Sequence, residues 1–462
     1  MIFSSIPFIY YFLPIVLLLY YLTPRQGKNT VLLLGSMVFY AWGEPRYLFM
    51  MLLATALGYG FGLAIEAMPK HKKLLLTCSV LSSLSFLVYF KYADFFLDNC
   101  NLLFGTQLPL LHLALPVGIS FYTFQILSYT VDVYRGDVAA QKNPIDLACY
   151  VTFFPQLIAG PIVRYSDIAQ QLRHRSHGLT QLRLGSQRFL AGLGKKILLA
   201  NLLGEVCAAW RTTGDASVLF AWLYAICYTL HIYFDFSGYS DMAIGLGRMF
   251  GFQFVENFNY PYISTSITEF WRRWHMSLGT WFRDYVYIPL GGNRKGTARQ
   301  FCNILIVWML TGFWHGAAWN FILWGGYFAL LLMAEKAFLL PFLRRHRFLG
   351  HGYVLVAAIF SFVLFDASSL SGAAQCIRDM LGLGGLPPAS SQAVYLLKSN
   401  WLLILIACLG ATPLPKLALS RLERCFPRLT AVMLPVGLCL LLAICTAFLV
   451  DGSYNPFLYF RF

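Results

Sequence analysis

Charge is what this chain has least of: 12% of its 462 residues are Asp, Glu, Lys or Arg, against roughly a quarter in an ordinary soluble domain. With 58% hydrophobic residues and a mean hydropathy of +0.62, that shortage excludes a water-soluble fold. Paired cysteines are missing as well. The eleven cysteines, among them Cys78, Cys149, Cys227, Cys302, Cys408 and Cys445, sit mostly singly in apolar runs without any Cys-x-x-Cys. They read as small buried hydrophobes, neither a disulfide frame nor a zinc site. There is no Walker motif, no G-x-S-x-G elbow and no dinucleotide fingerprint, so none of the chemistry those motifs announce is expected.

What is present is a succession of apolar runs long enough for a hydrocarbon core, about 20 residues each. They fall at 2–22, 30–43, 47–67, 74–92, 108–131, 145–163, 187–211, 216–234, 303–318, 320–341, 352–370, 397–413 and 431–450. The first has no basic residue before it and no small-residue cleavage site after it, which reads as a retained helix. The net charge of +15 does not point to nucleic acid, because Lys and Arg cluster in short loops: Arg25–Lys28, Lys70–Lys73, Arg164–Lys196, Arg272–Arg299, Arg344–Arg347 and Lys416–Arg428. That is the pattern of a cytoplasmic membrane face, with lipid as the partner. Both termini then fall outside, which requires an even number of crossings. One candidate must therefore be re-entrant, or a pair must be misassigned. The stretches 154–161 and 287–292, interrupted by Gly and Pro, are the best places for broken backbone lining a cavity. The expectation is an all-α polytopic integral membrane protein, one domain over 1–462, with about 10–12 transmembrane helices and re-entrant or interfacial helices around a central tunnel. The region 257–295 differs in alternating Phe270, Trp271, Trp274 and Trp281 with Arg272, Arg273, His275 and Arg283, which suits an amphipathic interfacial helix.

An ionisable residue inside a membrane segment is a functional candidate whose partner must be named. His315 is the sharpest, set in an apolar run with glycines at 312 and 316 that let backbone or substrate approach. His275 is the second; forty positions away, it makes no metal-ligand spacing with His315, and no metal is expected. A neutral imidazole titrates near working pH and takes a hydroxyl proton. Asp235 and Asp241 end an apolar helix and suit either a transporter's proton relay or pairing with arginines such as Arg272, Arg273 and Arg283. Gln125, Asp132, Gln156 and Arg164 are further polar groups near membrane depth. These residues alone leave enzyme and transporter both open.

Five strings carry a resemblance: FPQLIAGP (154–161), DFSGYSD (235–241), FWRRWH (270–275), RDYVYIPLGG (283–292) and GFWHG (312–316). In this order, over about residues 110–330, they resemble the membrane-bound O-acyltransferase family, and within it the bacterial alginate O-acetyltransferase branch. The resemblance implies transfer of an acyl group to a hydroxyl in a bacterial cytoplasmic (inner) membrane, with His315 matching the essential histidine and His275 the second histidine of the branch. Gln156, Asp235, Ser237, Asp241, Arg272, Arg273, Arg283, Asp284, Trp314 and Asn320 fall in or beside the strings and are expected to support the substrate tunnel. No bound cofactor is implied. The donor is acetyl-CoA, or an acyl carrier protein as in the D-alanylation relatives, and an extracytoplasmic partner protein passes the group to an exported polysaccharide. The tail 451–462 resembles a terminal aromatic motif of this branch, which makes Tyr459 a candidate acyl relay.

Overall fold

The computed structural model describes residues 1–452, and the regular elements among them are all helical. The chain divides into two compact units: 1–189 with 240–255, and 190–239 with the described residues from 256 onward. The 32-residue helix Val218–Met249 contributes to both.

Among the described residues, seven helices are long and apolar enough to cross a membrane: Pro45–Ala67, Pro69–Phe104, Val218–Met249, Trp319–Arg345, Arg347–Asp366, Ser391–Gly410 and Pro427–Val450. A shorter apolar helix runs over Pro7–Leu22. Three of the remaining apolar runs of the sequence have visible reasons for standing apart. Lys28–Ala41 has 14 residues, about 21 Å at 1.5 Å per residue, which is shorter than a hydrocarbon core of about 30 Å. The run 145–163 breaks at Phe153 (φ −55°, ψ 110°) into two short helices. The run 187–211 is helical throughout but carries Arg188, Lys195, Lys196 and Glu205, and its middle, Lys195–Asn201, is a π-helix.

In the first unit, the broken stretch after Phe153 is buried from 153 to 163, as non-helical backbone at membrane depth must be. Phe154 packs on Phe12 and Phe39, both at 5.4 Å between ring centroids, and on Phe250 at 5.8 Å. The stretch thus sits in a close-packed aromatic core. Close helix approach there depends on small residues: a Cβ on Gly58 would stand 2.7 Å from the Ile126 side chain, and one on Gly185 would stand 2.6 Å from the Gly245 carbonyl oxygen.

In the second unit, Thr297–His315 and Trp319–Ala334 form a tight hairpin. A side chain on Gly312 would collide with the Phe321 carbonyl, and one on Gly325 with the Trp308 carbonyl. Arg347–Asp366 packs alongside, bringing Phe365 to 5.0 Å from Phe321. The region 257–295 is not the single interfacial helix its alternation suggested. It folds inward as two short α-helices, Ile267–Trp271 and Met276–Phe282, the second running on as a π-helical turn over Arg283–Tyr287, because Phe270, Trp274, Leu278 and Trp281 are all buried. Its backbone bonds to itself, with Asn259 N–H donating to the Arg273 carbonyl and Met276 N–H to the Asn257 carbonyl, both at 2.9 Å. The fully buried Glu335 fixes its position, accepting from the N–H groups of Ile267 (2.5 Å) and Thr268 (2.9 Å) that a helix start leaves unpaired.

Candidate active site

The second unit holds a cavity of about 640 Å³. Trp271, Arg272, His275 and Met276 line one side; Ile304, Val307, Trp308 and Thr311 line the face of the hairpin helix. Arg283, Tyr287 and Lys336 complete the wall. Apolar sides with a few placed polar groups are usual for a small-molecule site. Three cations, Arg272, Arg283 and Lys336, make it attractive to an anionic ligand.

His275 is 2% exposed and sits in the left-handed region (φ 45°, ψ 52°), a conformation that a residue with a Cβ adopts at a cost and that clusters at functional sites. Its Nδ1 lies 3.1 Å from Asn257 Oδ1, and its Nε2 has no hydrogen-bond partner. Phe236 meets the ring edge-on at 4.7 Å. Burial pushes the imidazole down to about 3, so the ring is neutral at working pH.

His315 ends the helix Thr297–His315, one turn beyond the cavity-lining Thr311, and is 8% exposed. Aromatic rings pack around it, among them Trp314 at 5.0 Å, Trp324 at 5.2 Å and Phe365 at 5.4 Å. Trp314 connects the two histidines, its ring 6.2 Å from that of His275. Asn320 Nδ2 donates to the Ala367 carbonyl at 3.0 Å, tying the turn after His315 to the end of Arg347–Asp366.

Other sequence candidates are placed differently. The two carboxylates are paired with cations, but not with the arginines of the 270s and 280s. Asp235 pairs with Lys196 at 2.5 Å, and Asp241 with Arg188 at 2.6 Å. Two of those arginines have nearer acids, Arg273 bonding Glu269 at 3.0 Å and Arg283 its neighbour Asp284 at 2.7 Å. Ser237 is buried, and its Oγ lacks a partner. Gln156 belongs to the first unit, its Nε2 donating to the Tyr150 carbonyl at 2.6 Å. Of the two broken stretches, 287–292 contributes Tyr287 to the cavity, and 154–161 is packed among phenylalanines. Tyr459 lies outside the described residues. Asn257, Lys196, Thr311 and Glu335 escaped sequence reasoning. A lysine within an apolar helical run was the available signal for Lys196.

Comparison with known proteins gives a consistent result. Residues 138–373 match the profile of the MBOAT, membrane-bound O-acyltransferase family. The chain is 41% identical to the probable alginate O-acetylase AlgI of Pseudomonas putida, with all of both chains covered. It is 32% identical to the peptidoglycan O-acetyltransferase of Helicobacter pylori, covering all of this chain and 98% of that one. A teichoic acid D-alanyltransferase of Bacillus subtilis is 30% identical over 48% of this chain and 59% of its own.

Proposed function

The chain belongs to the membrane-bound O-acyltransferase family, an acyltransferase embedded in a membrane, and on that premise we propose that it O-acetylates an exported polysaccharide with acetyl groups drawn from the cytoplasm. The observation that carries this reading is the cavity of about 640 Å³ that joins a cationic rim to His275 and to Thr311, one turn short of His315. Support for the acceptor class comes from the relatives, whose names specify alginate and peptidoglycan. Acetyl-CoA suits the rim, since Arg272, Arg283 and Lys336 would meet its phosphates. The positive-inside pattern puts the basic loop before Thr297 in the cytoplasm of a bacterial inner membrane. His315 ends the 19-residue helix that starts at Thr297.

In the reaction, the acceptor hydroxyl oxygen attacks the thioester carbonyl carbon while His315 takes the hydroxyl proton. The negative end of its helix favours the cation so formed. The C–S bond breaks, the thiolate leaves and receives the proton, and the acetyl ester and free thiol are the products. Transfer onward to the polysaccharide involves an extracytoplasmic partner protein, with Tyr459 as the proposed relay.

The test is purified protein in nanodiscs with radiolabelled acetyl-CoA. Donor turnover or protein-bound label is expected in the wild type and absent in His315→Ala, with label on Tyr459 if it relays the group. Turnover with an aminoacylated carrier protein alone would transfer the assignment to the D-alanylation type of donor.

A further inference from the structure

The bonds around His275 bear on how that residue works within the acyl-transfer reading above. Asn257 is wholly buried, and its Oδ1 faces three groups: the His275 ring at Nδ1 (3.1 Å), the Ser277 backbone N–H (3.3 Å) and the Ser277 hydroxyl (2.9 Å). A backbone N–H only donates. The Asn257 atom in this position is therefore the carbonyl oxygen, which only accepts. An imidazole nitrogen facing an acceptor must carry its proton, so Nδ1 is the N–H of the ring. In a neutral imidazole the other nitrogen is then the bare one. That nitrogen is Nε2, which is itself buried and has no hydrogen-bond partner, on a residue that lines the cavity.

The backbone around the ring reinforces this orientation. The Asn257 carbonyl accepts from Met276 N–H at 2.9 Å, so Asn257 grips the chain on the far side of His275 through main chain and side chain together. Between the two grips His275 adopts its left-handed conformation. The Phe236 ring, edge-on at 4.7 Å, limits rotation of the imidazole. Among the described residues no carboxylate lines the cavity, and a carboxylate beside Nδ1 would favour the imidazolium where the amide oxygen does not.

We propose that Asn257 is a positioning residue that holds His275 in the Nδ1–H tautomer and so presents an unprotonated Nε2 to the substrate in the cavity. The chemical class facing Nε2 is a proton donor, the hydroxyl of the acceptor or the thiol released from the donor.

Two readouts separate this proposal from the functional reading beneath it. The first needs no turnover: 15N solid-state NMR of the full-length chain, labelled at its nine histidines, in nanodiscs, with His275 assigned by difference against His275→Gln. The wild type is expected to show a protonated Nδ1 and a bare Nε2 at His275. Asn257→Leu is expected to lose that signature, and Asn257→Asp, which keeps an acceptor, to retain a protonated Nδ1. A wild-type His275 carrying its proton on Nε2, or an unchanged signature in Asn257→Leu, overturns the proposal, and the first of these holds even if the variant fails to fold. The second readout is acetyl-CoA turnover. Asn257→Leu is expected to lower kcat by about tenfold or more, in the range of a misplaced acid–base group, with KM little changed and with Asn257→Asp restoring part of the loss. If the NMR signature responds as expected while no variant or wild type turns over acetyl-CoA, the tautomer lock stands and the acetyl-CoA reading falls.

Discussion

His177 in the first unit and His275 in the second are both held through Nδ1, at 3.0 Å from the Tyr20 hydroxyl and at 3.1 Å from Asn257 Oδ1, yet the two settings have opposite chemical value. Around His177 the bonds close on themselves. The Tyr20 hydroxyl donates to the Phe250 carbonyl at 2.6 Å and accepts from Arg175 Nε at 2.9 Å. Lys28 Nζ donates to the Tyr20 carbonyl at 2.5 Å. Around His275 the bonding stops at Nδ1, the backbone is strained and a cavity adjoins the residue. A hydrogen-bonded histidine is common to both. The unsatisfied second nitrogen, on a residue that lines a cavity, marks the one able to do chemistry.

The largest expected effect breaks this comparison by exchange of each ring for an amide. His275→Gln should lower kcat for acetyl transfer by about 10²-fold or more, the scale of one acid–base group. His177→Gln should leave it within about twofold, since nothing places that ring at a reacting atom. Steady-state turnover in nanodiscs checks both. Equal losses in the two variants would refute the distinction between the closed and open settings.

A second contrast lies on one helix. Asp235 and Asp241 belong to the same short motif, but the Lys196–Asp235 side chains are 1% and 2% exposed, and the Arg188–Asp241 side chains 36% and 11%. Removal of one partner from a buried pair leaves an uncompensated charge, at about 3–5 kcal/mol, whereas exposed pairs contribute about 0–1 kcal/mol. Lys196→Met should therefore reduce the folded yield and thermal stability in detergent sharply, with Asp235→Asn added in the same chain recovering part of the loss. Arg188→Ala should lower stability slightly. A mild Lys196→Met would mean that water or another cation reaches Asp235.

These contrasts also show which parts of the protein are legible in its sequence. Apolar runs and basic loops disclosed a helical membrane protein, because lipid imposes composition on every segment that meets it. His315 stood out as an ionisable group in an apolar helix, and the motif strings tied it to His275. The partners were not legible. Asn257 lies 18 residues from His275, and Glu335 lies 68 residues from the helix start it caps; no periodicity reports contacts made by irregular backbone. The pairing of Asp235 with Lys196 instead of a nearby arginine has the same origin: charge counting names the need for a cation, and only the fold decides which one meets it. The expected interfacial helix failed because its aromatic residues had a core to enter, and a belt and a core look alike when every third or fourth residue is Trp or Phe.

The smallest expected effect sharpens the first comparison through pH. Burial, with Arg175, Lys28 and Arg25 adding to it, pushes the His177 imidazole down to about 4, below its ordinary value near 6.5. The unfolded chain therefore binds a proton at this residue over a pH range in which the folded chain does not. By linkage, the contribution of His177 is complete above about pH 6.5 and is lost as pH falls towards 4. The thermal midpoint of the wild type in detergent should accordingly drop between pH 7 and pH 5, and His177→Gln, which has no proton to gain, should flatten that part of the slope. Because His177 sits partly exposed among cations, salt in the buffer should reduce the difference between the two proteins. An identical slope in wild type and variant would mean that the cations around Tyr20 move apart on acidification and let the protonated ring remain in place.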